Sequence, residues 1–245
     1  MIKLVEDKES IIAMTDYCAD DPFGCRIMAT YRTYGVEQSF AQFWLQRDEK
    51  SGKVTAVLGS LDNGLTVCAK GDYNTEEIDS FVRMLAGENG ALRPVRKNEV
   101  ATGLVMRLDR SALIPPVGDI EINPPCEELY TVLENCPGLG FDVPPFEAFY
   151  ADMRLRTKLS TAISGMLRSD IMPVSCAAVH RAANVGLLTM CATVPEFRGK
   201  GCGSSCVRAL IGHLREDEEL FVFCLPGMCG YYEKMGFRVV GGFVY

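Results

Sequence analysis

Histidine is almost missing from this chain, which has two, His180 and His213, in 245 residues. No CxxC pair accompanies them, and the eleven cysteines are scattered. Without clustered thiolates or imidazoles a structural zinc site has no ligand set, so no metal is expected. The cysteines read instead as small buried hydrophobes in a reducing compartment. Long apolar runs are also lacking, and the first residues, MIKLVEDKESII, are too charged for the core of a secretion signal. A cytoplasmic location away from membranes is therefore expected. Positive charge is scarce as well: 25 Lys and Arg against 32 Asp and Glu give a net charge of −7. That balance argues against nucleic acid as a partner and mildly favours a cationic or neutral substrate.

What is present is ample core material, 48% hydrophobic residues, arranged in two stretches with the same order of elements. In the first, SFAQFWLQ, KVTAVLGSL and LTVCAK read as strands, the last two joined by an Asp62-Asn63-Gly64 hairpin turn. Trp44, on the first of these, reads as core. A helix follows, with Asn74 and Glu77 spaced as a capping box and Ile78, Phe81, Val82 and Leu85 as its apolar stripe. TGLVMRL is a further strand. The segment 114–125, IPPVGDIEINPP, carries two proline pairs and reads as a linker. Beyond it CEELYTVLENC and FEAFYADMRLRTK are helices, and STAISGMLRSD, MPVSCAAVHRA and VGLLTMCATV are strands. A helix, the strand LFVFC, a short helix near Gly230 to Met235 and a closing strand from Phe237 to Tyr245 complete the chain. The expectation is an α+β protein of two units, residues 1–113 and 126–245, each a mixed, mostly antiparallel sheet flanked by helices.

The most informative stretch is PEFRGKGCGSSCVRAL, Pro195 to Leu210. Three glycines precede or open a helix whose buried stripe is Val207, Leu210, Ile211 and Leu214. The start of a helix leaves backbone N–H groups without partners, and glycines let a bulky anion reach them. Ser204 and Ser205 occupy the first turn without a carboxylate, and Arg198 and Lys200 add positive potential. The fitting ligand is a phosphate. In the first unit the corresponding helix opens Asp72-Tyr73-Asn74-Thr75-Glu76-Glu77, whose carboxylates would repel one. The turn is not a P-loop, since no GK[ST] closes it, and it is a poor Rossmann fingerprint, since the strands before it form an antiparallel meander.

Val194-Pro195-Glu196-Phe197-Arg198-Gly199-Lys200-Gly201-Cys202-Gly203 closely resembles the VxPxxRGxGxG hallmark of the GNAT superfamily of N-acetyltransferases. Tyr232-Glu233-Lys234-Met235-Gly236-Phe237 resembles the YxKxGF box of the same family. The two matches span Gly186 to Phe237, and the first unit resembles the family only in element order, as a degenerate copy. The resemblance implies acetyl-CoA as co-substrate, its pyrophosphate held by Arg198, Gly199, Lys200, Gly201, Cys202, Gly203 and Ser204. It implies that Ala192, Thr193 and Val194 line the pantetheine. It further implies that Tyr232 protonates the departing thiolate, with Tyr231 as its neighbour and competitor. The expected reaction is transfer of an acetyl group to the primary amine of a small molecule or peptide by direct attack, in a monomer. A non-catalytic acyl-CoA-binding or sensing protein is the alternative, motivated by Leu225 where many members carry asparagine and by the lack of a carboxylate on the strand Gly186 to Val194. Glu147 and Asp152 are the residues from which a base could come, and neither is assigned.

Overall fold

The computed structural model describes residues 1–112, 115–116, 118–136 and 143–245. Two sheets and seven helices account for the fold among these residues. The smaller sheet runs in the order β1 (Ile2–Leu4), β2 (Ala41–Arg47), β3 (Val54–Leu61), β4 (Gly64–Ala69), every neighbour antiparallel. β3 and β4 turn through Asp62 and Asn63, with Asp62 at φ 49, and Leu61 pairs with Gly64 across the turn. Asp and Asn tolerate the left-handed region that such a tight hairpin requires. Helices α1 (Lys8–Cys18) and α2 (Pro22–Tyr34) precede β2, and each is capped by an aspartate, Asp7 and Asp21.

Helix α3 (Thr75–Ala86) follows β4 and lays Phe81 edge-on against Trp44, with ring centroids 5.4 Å apart. Trp44 is buried. The capping box expected at its start is half formed: Asn74 Oδ1 accepts from the Glu77 amide at 3.1 Å. The Glu77 carboxylate turns away to the Ile2 amide and the Gln46 side chain, each at 2.9 Å, and Gln46 Oε1 takes the Asn74 amide instead. A neighbouring strand thus replaces the local partner.

The larger sheet runs β5 (Arg93–Pro94), β12 (Phe237–Val244), β6 (Gly103–Leu108), β11 (Glu219–Cys224), β10 (Val185–Thr193), β9 (Met172–Ala182), β8 (Ala162–Ser169), β7 (Ile120–Ile122). All pairings are antiparallel except β10 with β11. Helices α4 (Cys126–Glu134) and α5 (Phe146–Lys158) precede β8, α6 (Cys202–Gly212) lies between β10 and β11, and α7 (Cys229–Glu233) precedes β12. Two features were not expected. β6, which comes before the proline-rich segment, is an interior strand of the second sheet, bonded to β11 on one side and β12 on the other. β7 lies inside that segment, of which residues 114 and 117 fall outside the described residues.

The sheets are also joined through their cores. Helix α2 is packed against β3 and β4 on one side and β9 and β10 on the other. One apolar cluster runs from Ile27, Phe43 and Val57 to Val105, Val185, Leu187, Phe221 and Phe243. On the opposite face of the larger sheet, Cys206, Val207, Leu210 and Ile211 seat α6 on Ala177, Val179 and Leu188. Burying such side chains contributes roughly 1.5–3 kcal/mol each and fixes where the start of α6 points.

Candidate functional site: the start of helix α6

Helix α6 starts bare. Its N-cap, Gly201, sits in the left-handed region at φ 85 and ψ 0, no side chain caps it, and no acidic residue lies in the first turn. The first bond of the helical ladder runs from the Ser205 amide to the Gly201 carbonyl at 3.0 Å. Among the described residues, the amides from Gly199 to Ser204 have no acceptor within the protein. Arg198 differs from its neighbours, because its amide is already donated to the Pro195 carbonyl at 3.2 Å.

Gly199 at φ +73 alternates with Gly201 at φ +85, and a Cβ built on either would meet nothing within 4 Å. Successive amides in alternating hands of backbone make a concave, positive nest open to solvent. The helix dipole adds to that field. Arg198 contributes less directly than its position suggests, since its Nε is tied to the Thr193 carbonyl at 2.9 Å. The second cation is Lys200, exposed, with Nζ 4.8 Å from the Phe197 ring centroid. Glu196 is exposed.

Beside the nest, β10 and β11 part. Their parallel pairing covers Val185 to Leu188 against Glu219 to Val222 and stops there, although β10 continues to Thr193. Register on the other side of β10 shifts between Thr189 and Ala192, and Met190 takes φ 54. A bulge re-aims the strand at this point. Of the residues expected to line the pantetheine, Ala192 and Thr193 end β10, while the Val194 amide is committed to the Val174 carbonyl at 3.0 Å. Ser175 Oγ holds the strand end, lying 2.9 Å from both the Ala192 carbonyl and Thr193 Oγ1.

The adjacent tyrosines of α7 face different groups. The Tyr232 ring is buried, 5.7 Å from Phe237 and 5.0 Å from Tyr231. Burial above all, and then the Cys191 thiol beside it, raises the phenol far above its ordinary value, so the hydroxyl stays protonated. Burial likewise pushes the Cys191 thiol up to about 12. Tyr231 instead reaches the first turn of α6, its hydroxyl 2.8 Å from where a Cβ on Gly203 would stand. Its phenol is also raised, by burial first, while a hydrogen bond with Ser204 opposes the shift.

Asp152 accepts from Arg156 Nε at both oxygens, 2.7 and 2.8 Å, and from the Tyr34 hydroxyl. Glu147 is exposed in the first turn of α5. Among the described residues, no group of three or more His, Cys, Asp and Glu side chains could hold a metal, and no helix is long and apolar enough to cross a membrane. Sequence reasoning located the nest but missed the parted strands, the bulge at Met190 and the distinct partners of the two tyrosines. A bulky residue at positive φ leaves no mark in composition or periodicity.

Residues 163–240 match the acetyltransferase (GNAT) domain family. No curated protein matches the sequence. Solved structures do match the fold along nearly its whole length. A GCN5-related N-acetyltransferase from Sphaerobacter thermophilus is similar at 12% identity over 100% of this chain and 93% of that one, with a TM-score of 0.63. A GNAT-family acetyltransferase from Colwellia psychrerythraea matches at 10% identity, 99% and 97% coverage and a TM-score of 0.60. A tandem GNAT protein from the clavulanic acid biosynthesis pathway matches at 14% identity, 100% and 97% coverage and a TM-score of 0.60. Residues 163–240 are thus those of a GNAT acetyltransferase domain, and the chain as a whole is similar in fold to tandem GNAT proteins.

Proposed function

We propose that this acyltransferase moves an acetyl group from acetyl-CoA to the primary amine of a small molecule or peptide. The observation that carries the reading is the run of unpartnered amides from Gly199 to Ser204 beside a parted pair of strands. A diphosphate answers the amides, and Lys200 adds a cation. Ala192, Thr193 and Val194 then border the pantetheine, and the thioester lies where β10 and β11 separate, near Cys191 and Tyr232.

In the reaction the neutral amine nitrogen attacks the thioester carbonyl carbon, a C–N bond forms and the C–S bond breaks. The nitrogen's proton passes to solvent water. The sulfur departs as a thiolate, accepts a hydrogen bond from the Tyr232 hydroxyl and then takes its proton, which the phenol regains from solvent water. Burial holds the phenol protonated and raises the pKa of a thiolate in the same pocket, as it does that of the Cys191 thiol. Positioning and a polarised carbonyl supply much of the rate, so few side chains are required. Helix α2 and the smaller sheet wall one side of the larger sheet, which favours an acceptor cleft shaped by both units. The larger sheet is completed from within the chain by β6, in keeping with a monomer. All eleven cysteines are free, in keeping with a reducing cytoplasm.

A second reading, an acyl-CoA sensor without turnover, draws on Leu225, which leads into the turn before α7 and presents no polar group. A screen of amine classes with acetyl-CoA, read as released thiol, separates the two. Thiol release that depends on one amine class supports the transferase. Tight coenzyme A binding with no release from any class supports the sensor, and no binding at all removes both.

A further inference from the structure

A cavity of about 80 Å³ lies between the two sheets, lined by Arg26 and Thr30 of α2, Thr66 of β4, Asp152 and Arg156 of α5 and His180 of β9, among others. It shares no residue with the nest at α6. The volume is that of several water molecules or one small polyatomic ion. Its lining is cationic. Arg156, 2% exposed, satisfies Asp152 through Nε alone, and Arg26 Nε donates to Thr66 Oγ1 at 3.1 Å. The terminal amino groups of both guanidiniums find no hydrogen-bond acceptor among the described residues. Asp152 compensates one arginine, and no carboxylate among the described residues forms an ion pair with the other. His180 adds a buried Nε2 without a hydrogen-bond partner.

We propose that this cavity is a binding site for a small oxyanion, a carboxylate or phosphate group, held by the Arg26 and Arg156 guanidiniums beside His180. The guanidinium fork matches both groups in bidentate fashion, and Asp152 alone leaves one positive charge in excess beside the cavity. The field in the cavity points the same way: after burial itself, Arg156 and then Arg26 hold the His180 imidazole well below its ordinary value. A bound anion would cancel that repulsion. Because the site joins α2 to α5 and β9, occupancy would also brace the two units against each other.

The test uses the full chain and its two histidine rings, with His213, exposed at the C-terminal end of α6 and outside the cavity lining, as the internal control. Acetate and inorganic phosphate are titrated separately at constant pH, with sodium chloride at matched ionic strength as the third arm. A saturable shift of the His180 ring with acetate or phosphate, with His213 unmoved, supports the site, and the arm that saturates more tightly names the ligand class. Arg26→Gln should weaken that saturation roughly tenfold. Arg26→Lys, which keeps the charge and loses the fork, should weaken it less and serves if the first variant misfolds. No saturable shift, an equal shift with chloride, or unchanged affinity in a folded Arg26 variant would overturn the proposal. Coenzyme A titrated into the same samples reads the α6 site separately, so failure of either leaves the other standing.

Discussion

The hydroxyl of Tyr231 stands 2.8 Å from the point where a side chain on Gly203 would begin, with Thr193 Oγ1 3.0 Å from the same point. The start of α6, the end of β10 and helix α7 are thereby held at one close contact that only glycine permits. Gly203→Ala must push Tyr231 or Thr193 aside. The expected result is a loss of about 1–3 kcal/mol in stability, read by chemical denaturation, together with weaker coenzyme A binding. A variant as stable as the parent would mean that this contact is not tight.

Gly201 isolates the phosphate-binding role from packing. A Cβ there meets no neighbour, so the folded state of Gly201→Ala suffers only the left-handed backbone, about 1 kcal/mol. The methyl would nevertheless stand over the amide nest. Calorimetry should show coenzyme A affinity falling by roughly tenfold or more, while affinity for pantetheine, which lacks the pyrophosphate, stays unchanged. Equal losses for the two ligands would contradict the assignment.

Tyr232→Phe removes the hydroxyl beside Cys191 and little else. Coenzyme A affinity should persist, and turnover should drop by roughly 10²-fold or more if the phenol supplies the proton. Because the group's pKa is raised by burial, the parent enzyme's rate should show no alkaline limb from tyrosine ionisation up to roughly pH 10, where an ordinary phenol titrates. A limb below that, abolished in the Phe variant, would place Tyr232 in a wetter setting.

Acid sensitivity has an identifiable contributor away from the site. A hydrogen-bonded ion pair with Arg93 is the main reason that Glu99 titrates at about 2 and not 4.5. The unfolded carboxyl binds its proton first as pH falls, so the pair's contribution is complete above 4.5 and disappears on the way down to about 2. Glu99→Gln should lower Tm at neutral pH, and the gap from the parent should close across that acid window. A gap that persists at the acid end would show another cause.

Residues 126–245 alone should not fold. Without β6 the sheet loses an interior strand, and β11 and β12 are left with facing, unpaired edges. The fragment should give collapsed amide dispersion or aggregate, and a fragment beginning near residue 90 should recover a dispersed spectrum. A well-folded short fragment would mean that β11 and β12 can pair directly.

Much of this was legible in the chain. FEAFYADMRLRTK became α5 from end to end, and MPVSCAAVHRA became β9. Local patterns of this kind survive because each is satisfied by its own period. The glycine turn was legible for a different reason: uncapped amides and positive φ are chemical requirements that glycine and the missing acids advertise. TGLVMRL read as a strand but not as one that leaves its own unit, because a strand's pattern does not name its neighbour. Asn74 and Glu77 carried the letters of a capping box, yet Gln46 on β2 won the reciprocal bond. Nothing in the sequence marks Met190 as a bulge or places Arg26 near His180, since both arise only when the sheets meet.

The amide spectrum of the full chain under coenzyme A titration bears most directly on the claim that α6 begins with a diphosphate cradle. Saturable downfield shifts confined to Gly199 through Ser204 and the end of β10 are expected, with the Arg198 amide least affected because Pro195 already holds it. If coenzyme A leaves those amides in place, whether it binds elsewhere or not at all, the cradle is wrong and the transfer chemistry built on it falls.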